Sequence, residues 1–170
     1  MVFVHLHTVI IVYSTDMKIL AIETSCDETA LSVIETTGEF PQATYTVLGN
    51  ALHSQVDIHQ AYGGVYPTLA KREHAKRIVP LLTQSLTEAE LLHTGTTPRT
   101  ATDQSNLETI LEREPGIIEA LTTFLDTYEK PEVDLIAVTT GPGLEPALWV
   151  GINFAKALAT TWQLPITPID

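Results

Sequence analysis

Apolar and polar positions alternate along the chain in blocks long enough to name elements. An apolar run at residues 19–22 meets a polar turn at 23–28, and a second apolar-rich run follows at 30–34. That order predicts strand, tight turn, strand. Residues 36–42 (TTGEFPQ) turn the chain around Gly38 and Pro41. Residues 43–52 alternate weakly and predict a third strand, which completes an antiparallel meander. The stretch 53–67 is polar, holds the pair Gly63 and Gly64, and ends in Pro67, which predicts a loop. A helix then starts near Pro67 or Thr68 and runs to about Leu92. Its buried stripe is Ala75, Ile78, Val79, Leu82, Leu86 and Ala89, spaced by threes and fours. Pro80 lies inside this pattern without an N–H to donate, so a kink is expected there.

Residues 93–106 are rich in Thr, with Gly95 and Pro98, and read as a loop; residues 93–114 together read as a mobile insertion. A weak helical stretch at 107–112 precedes a firmer helix from Pro115 to about Tyr128. Residues 133–138 form a short continuous apolar run, as in a strand buried on both faces of a parallel sheet. The run ends in Thr139-Thr140-Gly141-Pro142-Gly143, and a helix follows. That helix carries small residues at spacing four, Ala147, Gly151, Ala155 and Ala159, a ridge suited to close packing on a neighbouring backbone. Residues 165–169 begin one more strand. The order β-β-β-α-(α)-β-α-β predicts an α/β lobe with a five-stranded mixed sheet flanked by helices. It matches the ribonuclease-H-like architecture of the actin and sugar-kinase superfamily, in which one such lobe needs a second to close a nucleotide cleft.

Composition narrows the picture. The 170 residues carry 44% hydrophobic side chains, ample for one core. Nine Lys plus Arg stand against 21 Asp plus Glu, a net charge of -12. Such a chain repels nucleic acid on average, so an RNA role needs a local basic patch or a basic partner. Four of the nine basic residues fall in KREHAKR, residues 71–77. Read alone, this heptapeptide is a solvated helix face, with Arg72 and Lys76 together and Glu73 spaced to pair with Arg77. Cys26 is the sole cysteine, which excludes an internal disulfide and fits a reducing, cytoplasmic setting. No run reaches the ~18 apolar residues of a membrane span. Residues 1–16 are apolar and β-branched without a basic leader region, and read as an N-terminal extension, an extra edge strand being the alternative.

Two turns carry candidate chemistry. Positions 23–29 hold three hydroxyls (Thr24, Ser25, Thr29), one thiol (Cys26) and three carboxylates (Glu23, Asp27, Glu28). A hairpin tip needs far fewer polar groups. Hydroxyls and amides can face a phosphate, while carboxylates can hold its metal or take a proton; a solvated tip is the plain alternative. The Gly141-Pro142-Gly143 turn between strand and helix can cradle a phosphate at the helix N-terminus, although many strand-to-helix turns look alike. Cys26 reads as a small buried residue rather than a nucleophile.

Three blocks in order, LAIETSCDETALSV, HxxYGGVYPTLAKREH and AVTTGPGLEPALWVGINFAKALA, resemble the N-terminal half of the tRNA threonylcarbamoyladenosine transferase family. The resemblance covers most of residues 17–170. It implies an actin-like ATPase fold and transfer of a threonylcarbamoyl group from its adenylate to the exocyclic amine of the adenosine beside the anticodon. It implies Asp27 and Glu28 as the catalytic pair, in contact with the acyl-adenylate or its metal. Thr24, Ser25, Gly141, Pro142 and Gly143 would meet nucleotide phosphate, with threonylcarbamoyl-adenylate or ATP as ligand. His59, Tyr62, Gly63, Gly64 and His74 match a block that shapes the cleft edge and tRNA side. Lys71, Arg72, Lys76 and Arg77 are candidate contacts to RNA phosphate.

Family members continue past a strand like PITPI with an H-x-x-x-H pair that binds iron or zinc, and then a second lobe. The six histidines here show no such spacing, so no complete metal site is expected in this chain. The implied partners are tRNA, a paralogous non-catalytic subunit, an ATPase subunit and the C-terminal lobe. Two other functions fit the same fold. A non-catalytic paralogue that dimerises with the transferase shares the hairpin and the GPG turn but usually lacks the CDET carboxylates and the YGGV block. Another actin-like phosphotransferase would consume ATP with a sugar or acetate acceptor.

Overall fold

The structure, a computed structural model, describes residues 16–39 and 41–170. The expected N-terminal extension therefore lies, but for Asp16, outside the described residues. In chain order the elements are β1 (Met17–Glu23), β2 (Glu28–Thr37), β3 (Thr44–Ser54), α1 (Val56–Gln60) and α2 (Pro67–Glu88). They continue with α3 (Ala101–Ile110), α4 (Pro115–Thr127), β4 (Leu135–Thr139), α5 (Glu145–Trp162) and β5 (Ile166–Ile169).

The five strands form one sheet in the order β3-β2-β1-β4-β5. β1 and β3 both run antiparallel to β2, while β4 pairs parallel with β1 and β5 parallel with β4. This mixed order, meander first and crossovers after, is the ribonuclease-H-like sheet that the element sequence predicts. The pairing sets Leu20 beside Val33 and Ile136, and Ile22 beside Leu31 and Val138. All six are buried, so one sheet face makes the core.

Two glycines let the helices sit close on that face. A β-carbon on Gly49 of β3 would lie 2.1 Å from the Ser85 carbonyl oxygen in α2. One on Gly151 of α5 would lie 2.5 Å from the Thr24 hydroxyl. The small-residue ridge of α5 thus packs as its spacing predicts, with Ala147, Gly151 and Ala155 all buried.

The structure corrects several boundaries. α2 runs through Pro80 but stops at Glu88, short of Leu92, and Glu90 then takes a left-handed φ of 59°. Part of the 53–67 loop is helical as α1. The stretch read as a loop through Asn106 is helical from Ala101, as α3. Its start is fixed by a capping box in which Thr100 and Asp103 satisfy each other's main-chain N–H groups. Leu107 and Leu111 anchor its far end in the core. Glu73 pairs with Lys76 rather than Arg77.

Candidate functional site

The two chemical turns meet at one end of the parallel strands. The Leu144 N–H donates to the Ser25 carbonyl at 2.7 Å, so the chain after Gly143 is tied to the hairpin tip. A β-carbon on Gly143 would fall 2.6 Å from that same Ser25 oxygen. Glycine is therefore required here by close approach of two backbones. Ser25 is further held by its own N–H, which donates to Glu23 Oε1 at 2.5 Å. Beside the GPG turn, Thr140 donates its main-chain N–H to the Ile169 carbonyl at 2.8 Å and its hydroxyl to Asp170 Oδ1 at 2.9 Å. Ser25, Gly141, Pro142 and Gly143 accordingly share one wall, with Pro142 and Gly143 exposed.

Thr24 belongs to this wall in sequence but not in access, which corrects its expected phosphate contact. It is 1% exposed. Its hydroxyl donates to the Ala147 carbonyl at 2.9 Å and accepts the Gly151 N–H at 3.1 Å. Both roles of the hydroxyl are taken by α5, so Thr24 pins the hairpin to that helix.

Next along the turn, Asp27 is half-buried and Glu28 exposed. Asp27 opens onto a groove of about 200 Å³ lined also by Val56, His59, Gln60, Gly64 and Val65. The Gly63-Gly64 pair makes this wall possible, since φ is 72° and 157° at the two positions. Tyr62 and Tyr66 flank the pair, both exposed and stacked at 5.8 Å between ring centroids.

His59 and His74 are buried, at 3% and 0% exposure. That removes both from any direct contact with RNA. His59 Nδ1 accepts the Tyr66 N–H at 3.3 Å, and its Nε2 lies 3.0 Å from Gln55 Oε1. His74 Nε2 lies 3.2 Å from the Cys26 carbonyl oxygen, and its Nδ1 receives the Thr29 hydroxyl at 2.8 Å. Burial lowers the His74 pKa below its ordinary value, against the Cys26 carbonyl bond and the nearby Glu23 and Asp27, which raise it. Burial also raises the Cys26 thiol, helped by Asp27 and Glu23. A thiol so placed is a poor nucleophile.

The basic heptapeptide divides. Lys71 Nζ lies 3.1 Å from Glu114 Oε1 and donates to the Arg113 carbonyl at 2.9 Å. Lys71 is thus engaged by a buried carboxylate. Arg72, Lys76 and Arg77 are exposed. Lys71, Arg72 and Lys76 line a groove of about 280 Å³ with Arg113, a cation that lies outside the heptapeptide and that sequence reasoning missed.

Among the described residues no three His, Cys, Asp or Glu side chains converge as a metal would need. The ring nitrogens of both histidines near the turn already have hydrogen-bond partners. The described residues at these turns do not fit an iron or zinc ion, and no chemical step here runs through one. Gln55, which is 1% exposed and touches both histidines, was not singled out in the sequence. Its one signal there is a position four residues before His59, which says nothing of burial.

A family model for TsaD, tRNA N6-adenosine threonylcarbamoyltransferase, matches residues 46–101 and 107–170. A curated relative from Thermomicrobium roseum, named tRNA N6-adenosine threonylcarbamoyltransferase, is 40% identical over 154 residues, 91% of this chain and 30% of its own length. One of the same name from Polynucleobacter necessarius is 38% identical over 151 residues, 88% of this chain and 32% of its own length. The chain thus spans about a third of the length of the curated relatives it matches. Among solved structures, YeaZ from Pseudomonas aeruginosa is similar over 91% of this chain and 44% of its own, at 18% identity and a TM-score of 0.43.

Proposed function

The chain belongs to the tRNA N6-adenosine threonylcarbamoyltransferase family, and we propose that it forms the N-terminal lobe of such an enzyme. In this reading the exocyclic amine of a tRNA adenosine attacks the carbonyl carbon of threonylcarbamoyl-adenylate. The new C–N bond forms, the C–O bond to the phosphate breaks, and AMP leaves with its electron pair. The tRNA amine is the nucleophile, and no protein side chain forms a covalent intermediate. The raised pKa of the Cys26 thiol agrees with that.

The observation that carries this reading is the seating of Gly143 on Ser25. It brings two motif blocks 118 positions apart (143 − 25) into one wall beside the Asp27 groove. The adenylate phosphate would lie against Ser25 and the GPG turn, at the positive N-terminal end of α5. Asp27, with Glu28 beside it, would face the acyl group and the incoming amine and take up the amine's proton. Holding both reactants in register lowers the barrier, because the entropy of bringing them together is lost on binding rather than in the reaction step.

The RNA would approach over Arg72, Lys76, Arg77 and Arg113, whose charges offset an acidic chain. A paralogous non-catalytic subunit, an ATPase subunit and the remainder of a longer transferase would complete the assembly. The iron or zinc implied by the family would take its ligands from outside the described residues. The setting proposed is the cytoplasm; among the described residues no helix is long and apolar enough to cross a membrane.

The test is the threonylcarbamoyladenosine content of tRNA from cells lacking this gene. The nucleoside should disappear on deletion and return with the wild-type gene. It should stay at least tenfold below wild type with Asp27→Ala. Normal nucleoside levels in the deletion strain would sink the reading.

A further inference from the structure

The two buried histidines are joined through one amide. Gln55 Nε2 lies 3.2 Å from His74 Nδ1, and Gln55 Oε1 lies 3.0 Å from His59 Nε2. The proton positions along this line are fixed by its two ends. The Tyr66 main-chain N–H can only donate, so His59 Nδ1 accepts and carries no proton. The remaining nitrogen, Nε2, then holds the ring proton and donates to Gln55 Oε1. At the far end the Cys26 carbonyl can only accept, so His74 Nε2 donates to it. His74 Nδ1 is left to accept, from the Gln55 amide and from the Thr29 hydroxyl. One assignment satisfies every contact, with both rings neutral and protonated on Nε2.

Gln55 reaches the turn by a second route as well. Its main-chain N–H donates to the Asp27 carbonyl at 2.8 Å. One residue therefore holds Asp27 directly, holds Cys26 through His74, and holds the 62–66 loop through His59 and Tyr66. The loop and the turn are the two sides of the groove that contains Asp27 and Gly64.

We infer that Gln55 is a positioning residue: its side-chain amide couples the 62–66 loop to the Cys26–Asp27 turn through two neutral histidines. Movement of the loop is transmitted to Asp27, and the coupling is polar and directional. A carboxylate of the same shape has no N–H for His74 Nδ1, so it can hold the link only by drawing a second proton onto His74. This inference does not rest on the reaction proposed above.

The test uses the full chain labelled with nitrogen-15, read by NMR of the histidine rings and the main-chain amides. Wild type should show both His59 and His74 as neutral rings protonated on Nε2 at pH 7. In Gln55→Glu, His74 should take a second proton on Nδ1, and its titration midpoint should rise by about one to three pH units. The amides of Cys26, Asp27 and Tyr66 should shift together in that variant. A residue that merely fills space would leave the His74 midpoint unchanged in this isosteric exchange. Wild-type His74 protonated on Nδ1, an unmoved midpoint, or unmoved turn amides would each overturn the inference. If Gln55→Glu fails to fold, the wild-type ring assignment decides alone. Loss of nucleoside in the deletion strain is a separate readout, so either idea can fail without the other.

Discussion

Thr24 and Gly151, 127 positions apart, are in direct contact: the Gly151 N–H donates to the Thr24 hydroxyl, which donates onward to the Ala147 carbonyl. This contact sits where the first strand hands over to the chemical turn. It locks the hairpin tip to the buried ridge of α5. Ser25, on the far side of the same joint, is locked to Gly143 and Leu144. The wall that faces the ligand in the proposed reaction is thus braced from behind by residues that do not touch it.

Gly151→Ala tests that brace. The added carbon would lie 2.5 Å from a hydroxyl that is buried and bonded on both sides, so the hydroxyl cannot turn away without losing both partners. The expected loss is about 1–3 kcal/mol, as for overpacking in a filled core. Urea unfolding reads it directly, and an unchanged midpoint would mean that the hairpin and α5 separate easily.

Gly49→Ala should be worse. Its new carbon would meet the Ser85 carbonyl at 2.1 Å and the Ala89 nitrogen at 3.0 Å, both main-chain atoms of the α2 end. No side chain is available to move, so the whole helix must lift off β3. Gly116→Ala is the matched control, since nothing lies within 4 Å of the added carbon. That change should be neutral or stabilise α4 by up to about 1 kcal/mol. Melting temperatures ranked Gly116→Ala highest and Gly49→Ala lowest are expected; the reverse order would refute the packing account.

Much of this was legible in the residue pattern. Apolar runs ending in polar or glycine turns announced the strands and their order, because a strand buried on one or both faces has few other sequences open to it. The turns of Asp27 and Gly143 stood out as polar or glycine clusters. The site's interior was not legible. The burial of Thr24 depends on Gly151, and that of His74 on Cys26 and Gln55, contacts made only when distant segments meet. The first part of α3, before the weak helical stretch at 107–112, was hidden for a different reason. Its first six residues, ATDQSN, show no apolar stripe, and a capping box at Thr100 and Asp103 supplies the local signal instead.

The ion pair behind the basic face gives a further prediction. Glu114 has a fully buried side chain; its Oε2 accepts from Asn153 Nδ2 at 2.8 Å, and its Oε1 has no hydrogen bond but faces Lys71 at 3.1 Å. Lys71→Met would leave that carboxylate without its cation. The expected cost is about 3 kcal/mol, at the low end for a broken buried pair because Lys71 remains 31% exposed. Lys71→Met with Glu114→Gln should cost less than Lys71→Met alone. A double-mutant cycle by urea unfolding measures the coupling, and additive effects would show that the pair contributes nothing.

His74 makes stability depend on pH in a stated direction. Its folded pKa lies below the ordinary 6.5, with burial the largest cause and the facing His59 adding to it. The Cys26 carbonyl, Glu23 and Asp27 act the other way without reversing the shift. Below the unfolded pKa the unfolded chain therefore binds a proton that the folded chain resists. Stability from this group is complete above about pH 6.5 and is lost as pH falls from there toward the folded value, at up to about 1.4 kcal/mol per pH unit. Urea midpoints measured at pH 7.5 and at successively lower values down to pH 5 should fall in wild type. In His74→Gln, which keeps a polar side chain without the titration, the slope over the same range should flatten. Equal slopes in the two proteins would remove His74 as its source.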